Sequence, residues 1–338
     1  MRKKSRNVPR VNKTHKKDYV YSGIEYTHIP THKDDTTGVK VSPPSNFSLI
    51  HNTEETTKFF VNVQKFIRGQ FDKKTDVFFD LSNIKEVTID AVMYLLATIK
   101  NLQVKHLSKF FFRGNMPNDP NAKLMFEESG FLKFVESPKT LIKTNENKIA
   151  IRTGRSNDSV VLKEICDFII DKAGCSRLDT KFLYVMMAEM MYNTYEHAYL
   201  NNNPTIKNWY IFVELVDSRI GVTFLDTGAG ISNTITKSFL EKIGSKTQDE
   251  LIKSALLGQF RTKTKLGYRG NGLPTIRGYA ETQNITNLHI LANKAVCKVN
   301  YESTNKWFEG YEQNQNLMGT IYYWEVSIDK LRGGRMHD

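Results

Sequence analysis

Residues 209–231 read WYIFVELVDSRIGVTFLDTGAGI. Two apolar runs, WYIFVELVD (209–217) and RIGVTFLD (219–226), flank a turn, which predicts two strands folded back as a hairpin. The second run ends in Asp226-Thr227-Gly228-Ala229-Gly230, where Gly228 and Gly230 let the backbone approach a ligand closely. Asp226, at the strand end, can accept a hydrogen bond from an exocyclic amine, a function that a phosphate-binding loop does not need. A dinucleotide fingerprint requires a third glycine at 233, where the chain has Asn233, and the GxxxxGK[ST] phosphate loop occurs nowhere. Taken alone, the DTGAG segment serves equally well as a tight turn.

Upstream of the hairpin, two helices are expected at about 160–173 and 177–199. The second contains MMAEMMYNTYEHAY (186–199), an apolar stretch interrupted by Glu189, Asn193 and Glu196-His197. Polar groups on an apolar helix face cost stability unless they find partners. At about 100° per residue, Glu189 and Asn193 lie one turn apart on one face, with His197 a further turn along. A carboxylate and an amide oxygen so spaced can hold a water and a hard cation side by side, and Mg²⁺ takes oxygen ligands while keeping several waters. A helix edge with satisfied polar groups explains the same pattern. His197, at the helix end, reads as structural.

Downstream, a polar, glycine-rich stretch (227–274) leads to GYRGNGLPTIRGYA (267–280). Gly267, Gly270 and Gly272 precede a helix expected to begin near Leu273-Pro274, with proline suited to a first turn. Free backbone N–H groups at such a helix start bind phosphate. Arg261, Lys263, Lys265 and Arg269 precede it, a composition that fits a basic lid over a polyphosphate or an ordinary solvated loop. Strands follow near 287–300 and 318–327, the latter including MGTIYYWEV (318–326), where Thr320 offers a small hydroxyl. This order of elements predicts helices on one face of a mixed, mostly antiparallel sheet.

The first half reads differently. Residues 1–45 are polar and form an expected tail and linker, whose first 17 residues carry eight Lys/Arg and no acid. Such a tail can bind nucleic acid or an acidic partner by charge alone, or simply keep the chain soluble. From 46 to 145, helices (57–67, 88–102, 120–135 with a stop at Gly130) alternate with the buried strands DVFFDLS (76–82) and KFFFRG (109–114), which indicates an α/β unit. The polar stretch 136–158 marks the boundary, and the second unit spans 155–330. The 338 residues suffice for two such domains. A hydrophobic share of 40% with 25% charged residues is that of a globular protein, with no apolar run long enough to span a membrane. Three scattered cysteines without metal spacing and no secretory h-region point to a cytoplasmic location. The net charge of +12 sits largely in the tail.

Glu189-x-x-x-Asn193 followed by EHA, DTGAG (226–230), GNGL (270–273) and GT (319–320) resemble, in order, the nucleotide-binding boxes of the GHKL ATPase superfamily. That superfamily, which includes gyrase B, MutL, histidine kinases and anti-sigma-factor serine kinases, has the Bergerat fold, an α/β sandwich. The resemblance implies ATP and Mg²⁺ as ligands. Asp226 would bind the adenine amino group, with Thr320 helping through a water. Asn193 would ligate Mg²⁺, and Glu189 would orient or deprotonate the attacking water. Gly228 and Gly230 would border the adenine, while Gly270, Gly272 and Leu273 would cradle phosphates. Pro274 departs from the GLGL of many kinases, and no HExxxP phosphoacceptor segment lies upstream.

The first half is similar to STAS domains, on DLSNIKEVTIDAVMYLL (80–96), FFFRG (110–114) and ESGFLKFV (128–135). In those domains a phosphorylated serine sits at the start of the helix after the DLS strand. Asp90 falls near that position here, so a serine switch is expected to be absent and Asp90 reads also as a simple helix cap. This half is then a fused protein-interaction or dimerisation module. The resulting expectation is a slow Mg-dependent ATPase acting as a conformational switch through its lid. A serine/threonine kinase acting on a STAS-like partner and a non-hydrolysing nucleotide sensor remain alternatives, as does a nucleic-acid-associated role through the basic tail.

Overall fold

The computed structural model describes residues 24–26, 37–69, 75–105, 110–136, 142–196, 208–234, 246–259, 272–301 and 306–333. The chain is mixed α/β. Five antiparallel strands form the larger sheet: β7 (Lys148–Gly154), β8 (Trp209–Val216), β9 (Arg219–Asp226), β10 (Thr286–Val299) and β11 (Phe308–Ser327). Their order is β10-β11-β9-β8-β7, so β11 sits between β10 and β9. The predicted hairpin is β8–β9, paired from Trp209↔Asp226 to Val216↔Arg219.

Side chains along a strand alternate between faces, and this sheet buries both. Trp209, Ile211 and Val213 of β8, Ile220, Val222 and Phe224 of β9, and Tyr322, Trp324 and Val326 of β11 enter one core. That core is shared with α5 (Ser159–Ala173) and α6 (Lys181–Glu196), whose Met186, Met187, Met190 and Met191 are buried. Tyr210, Phe212, Leu225, Leu291 and Ile321 point the other way, into the core built by the first half. Helices were expected on one face only. The alternation of large apolar residues on both parities of β8 and β9 is why a second layer is needed.

That second layer is α1 (Thr53–Gly69) and α2 (Ile89–Lys105), backed by a four-stranded sheet in the order β1-β2-β4-β6. Here β1 (Ile24–Tyr26) runs antiparallel to β2 (Thr37–Val41), while β4 (Thr75–Phe79) lies parallel to both β2 and β6 (Phe110–Gly114). A small parallel pair, β3 (Asn46–Phe47) with β5 (Glu86–Val87), closes one end. Gly130, at φ 78°, separates α3 (Pro120–Glu128) from α4 (Phe131–Val135), where the sequence predicted a stop. Asp90 is buried at the start of α2 and accepts the Leu49 N–H at 2.7 Å. It therefore works as a structural tie, and burial raises its pKa.

Three boundaries differ from expectation. β2 lies inside the expected linker 1–45, with Val39 and Val41 buried. β7 lies in the expected boundary segment 136–158, so the larger sheet begins at Lys148. Within the expected polar stretch 227–274, α7 (Ile231–Thr234) and α8 (Gln248–Leu256) occur; α8 is opened by a Thr247–Glu250 capping box. The remaining elements are α9 (Gly272–Glu281) and α10 (Ile328–Gly333). The basic tail (1–17) lies outside the described residues.

Candidate functional site

The predicted site residues fall into two clusters, both turned toward the helix layer. In the strand cluster, Asp226 ends β9 and pairs with Thr320 of β11. Both share the strand parity of the residues that enter the α5–α6 core, so their side chains leave the sheet on that face. The Gly228 N–H donates to Asp226 Oδ1 at 2.8 Å, and Thr320 hydrogen-bonds the carboxylate as well. Burial nevertheless pushes the Asp226 pKa up to about 6, the hydrogen bonds from the Gly228 N–H and from the Thr320 backbone and side chain offsetting part of the desolvation. A Cβ at Gly228 would come within 2.9 Å of that carboxylate oxygen.

The loop after Asp226 is held from β10. Asn293, fully buried at φ 57°, donates from Nδ2 to the Ala229 carbonyl at 3.0 Å, and Asn233 Nδ2 reaches the same oxygen at 3.0 Å. A Cβ at Gly230, whose φ is 81°, would run into the Asn293 amide, so glycine is required there by both space and backbone. Asn293 Oδ1 and Ser232 Oγ are buried beside this loop without a hydrogen-bond partner among the described residues. Sequence reading missed Asn293, since an asparagine inside an apolar strand carries no motif.

Glycine is also required at position 319. Its φ is 89°, and a Cβ there would strike the Asp226 carbonyl. The cause is a break in the β10–β11 ladder. Ala292 faces Thr320 while Asn293 faces Leu317, so Met318 and Gly319 bulge out of register. The GT patch is thus a bulge that delivers Thr320 to Asp226.

In the helix cluster, α6 buries its methionines and leaves Glu189 exposed and Asn193 half-buried. Gly272, the first residue of α9, packs directly on them. A Cβ at Gly272 would sit 3.0 Å from Asn193 Nδ2 and 3.7 Å from Glu189 Oε2. Leu273 is half-buried against the α5–α6 core, and Pro274 falls in the first turn, where no helical N–H is lost. Residues 79 positions apart in sequence therefore meet, placing the N-terminal end of a helix beside a carboxylate–amide edge. Gly270, the lid residues Arg261, Lys263, Lys265 and Arg269, and His197 lie outside the described residues.

Among the described residues, no group of three His, Cys, Asp or Glu could hold a metal ion, and no helix is long and apolar enough to cross a membrane. The three cysteines are buried, and burial pushes the Cys166 thiol up to about 11, which leaves it a poor nucleophile. Compared with known proteins, the chain matches no family model and no characterised relative.

Proposed function

We propose that the protein binds Mg-ATP between the sheet and its α6–α9 layer, hydrolyses it slowly and uses the nucleotide as a conformational switch, in the manner of GHKL ATPases. The observation that carries this reading is the packing of Gly272 on Asn193 and Glu189. A glycine-led helix start offers N–H groups and a positive dipole end to phosphate, and the neighbouring carboxylate and amide suit a cation and a water. Two further features fit a nucleotide. The Asp226–Thr320 pair faces the same helix layer, and Asn293 Oδ1 and Ser232 Oγ are buried polar atoms that a polar ligand or water can satisfy.

In this reading Asp226 accepts a hydrogen bond from the adenine amine, with Thr320 beside it, and Gly228 and Gly230 border the ring. The amide oxygen of Asn193 helps hold Mg²⁺, which when bound offsets the phosphate charge. The backbone at Gly272 and Leu273 takes phosphate oxygens. Glu189 receives the proton of the water that attacks the terminal phosphorus as the bond to ADP breaks. The first half, STAS-like in its pattern, would be the module that meets a protein partner.

A time course with γ-labelled ATP and Mg²⁺ tests this, separating free phosphate from protein-bound label, with Glu189→Ala alongside. Free phosphate released by the native chain and lost in the variant is the expected result. Label on a protein hydroxyl would instead assign a kinase. ATP binding without release would leave a sensor, and absence of binding would overturn the reading.

A further inference from the structure

The Met318–Gly319 bulge sits on the seam between the two halves of the chain. Met318 lies beyond the last β9–β11 pair, Asp226↔Thr320, and is skipped by the β10 register, so neither neighbouring strand supplies ladder partners for its backbone. Tyr94 of α2 supplies them. Its hydroxyl donates to the Met318 carbonyl at 3.0 Å and accepts from the Met318 N–H at 3.2 Å. Tyr94 is 3% exposed, and its ring packs edge-on against Phe60 of α1 at 4.6 Å. Burial raises its pKa, so the hydroxyl keeps the proton it needs to donate while it accepts. One residue further along β11, Gly319 presses on the Asp226 carbonyl, and the next residue is Thr320. Two side-chain hydrogen bonds of α1 at this seam are exposed: Arg68 reaches Met318 Sδ at 3.6 Å, and Asn314 donates to Glu54.

We infer that Tyr94 is a positioning residue for base recognition: its hydroxyl, reaching from the first half of the chain through the back of the sheet, holds the bulge that sets Thr320 against Asp226. Nucleotide selectivity in the second half then depends on the first half being docked. A partner that draws α2 away from the sheet would release the bulge and weaken the purine site without touching it. This inference rests on the nucleotide reading of the Asp226–Thr320 pair, and it supplies what that reading lacks, a route by which the first half acts on the site.

The test uses the full chain and Tyr94→Phe, which keeps the ring on Phe60 and removes only the hydroxyl. Affinities are measured for ATP and for purine riboside triphosphate, which lacks the 6-amino group. The variant loses both bonds to Met318 and leaves its carbonyl and N–H unpaired, and ATP affinity is expected to fall roughly tenfold as the bulge relaxes. Affinity for the amine-free analogue should stay close to native, so discrimination between the two shrinks by the same factor. Equal losses for both ligands would reduce Tyr94 to a packing residue and overturn the inference, as would unchanged ATP affinity. A native chain that binds neither nucleotide would overturn the functional reading itself. Hydrogen exchange without nucleotide separates the two failures: the amides of residues 318–320 should exchange faster in the variant, and unchanged protection there removes the bulge-holding role whatever the ligand.

Discussion

The Asp226 carboxylate is engaged by strand and loop neighbours, whereas the Glu189 carboxylate is presented to solvent. The Gly228 N–H and Thr320 hold the Asp226 carboxylate, and two asparagines hold the loop behind it. Glu189 stands exposed on α6, with Gly272 packed beside it. Strand ladders fix side chains through backbone bonds on both sides, so a site built there recognises a fixed shape. A helix edge fixes side chains only by packing beneath them and leaves the outer groups able to follow a reacting phosphate. The first cluster suits selection and the second suits chemistry.

The largest effect expected from that division is on turnover. Glu189→Ala should lower the hydrolysis rate by about 10²–10⁴-fold while ATP affinity changes little, since on the proposed reading it removes the general base and no buried contact. Asn193→Ala should instead abolish the Mg²⁺-dependent part of ATP binding, read by titration with and without the metal. If both variants lost affinity equally, the two residues would be one binding unit and the division between selection and chemistry would not hold.

Next in size is a change that breaks the strand cluster. Gly319→Ala forces a Cβ into the Asp226 carbonyl at a left-handed φ. It should cost about 2–4 kcal/mol of stability by denaturant unfolding, because backbone gives way less readily than a side chain. Gly272→Ala meets the flexible Asn193 amide at 3.0 Å and should cost under about 1 kcal/mol. The same substitution in the two clusters thus reads out which is built rigidly.

Much of the strand cluster was legible because its residues are local to one hairpin: Asp226, Gly228 and Gly230 follow a strand whose apolar run is plain. What holds them was not legible. Tyr94 and Asn293 are distant in sequence and belong to none of the nucleotide-box motifs, and the bulge at Met318 is a property of register between strands. The short strands β2 and β7 were hidden for a related reason. THKDDTTGVKV and TNENKIAIRTG each bury only two or three apolar residues amid polar ones, and pairing with neighbours makes them strands. The helix α8 did carry a signal, the T-x-x-E capping box at Thr247–Glu250, inside a segment whose overall polarity reads as loop. The helix α6 was legible as a helix, but only the fold brings Gly272 to its Glu189–Asn193 edge.

Asp226→Asn should act on selectivity alone. The amide can still accept from Thr320 but meets the base with a mixed donor–acceptor end, so preference for ATP over the amine-free analogue should fall about 10-fold or more. Hydrolysis at saturating ATP should persist, since Glu189 is untouched. Loss of turnover at saturation in Asp226→Asn would mean that base and phosphate ends are coupled more tightly than two separate clusters allow.

The smallest effect is on pH dependence, and its sign is distinctive. Burial raises the Asp226 pKa from an ordinary 3.8 to about 6, so between those values the folded protein holds a proton that the unfolded chain has lost. Stability of the nucleotide-free protein therefore gains a contribution from Asp226 as pH falls from 7 to 5. If the ionised Asp226 carboxylate receives the adenine amine, as proposed, ATP affinity should move the other way, declining through pH 6 by roughly tenfold at pH 5. Protonation of the phosphates also weakens binding in this range, but it affects the amine-free analogue equally, and the ratio of the two affinities isolates Asp226. In Asp226→Asn both trends should flatten. A selectivity ratio that stays constant from pH 7 to 5 in the native chain would separate Asp226 from the base and leave its raised pKa a feature of the fold alone.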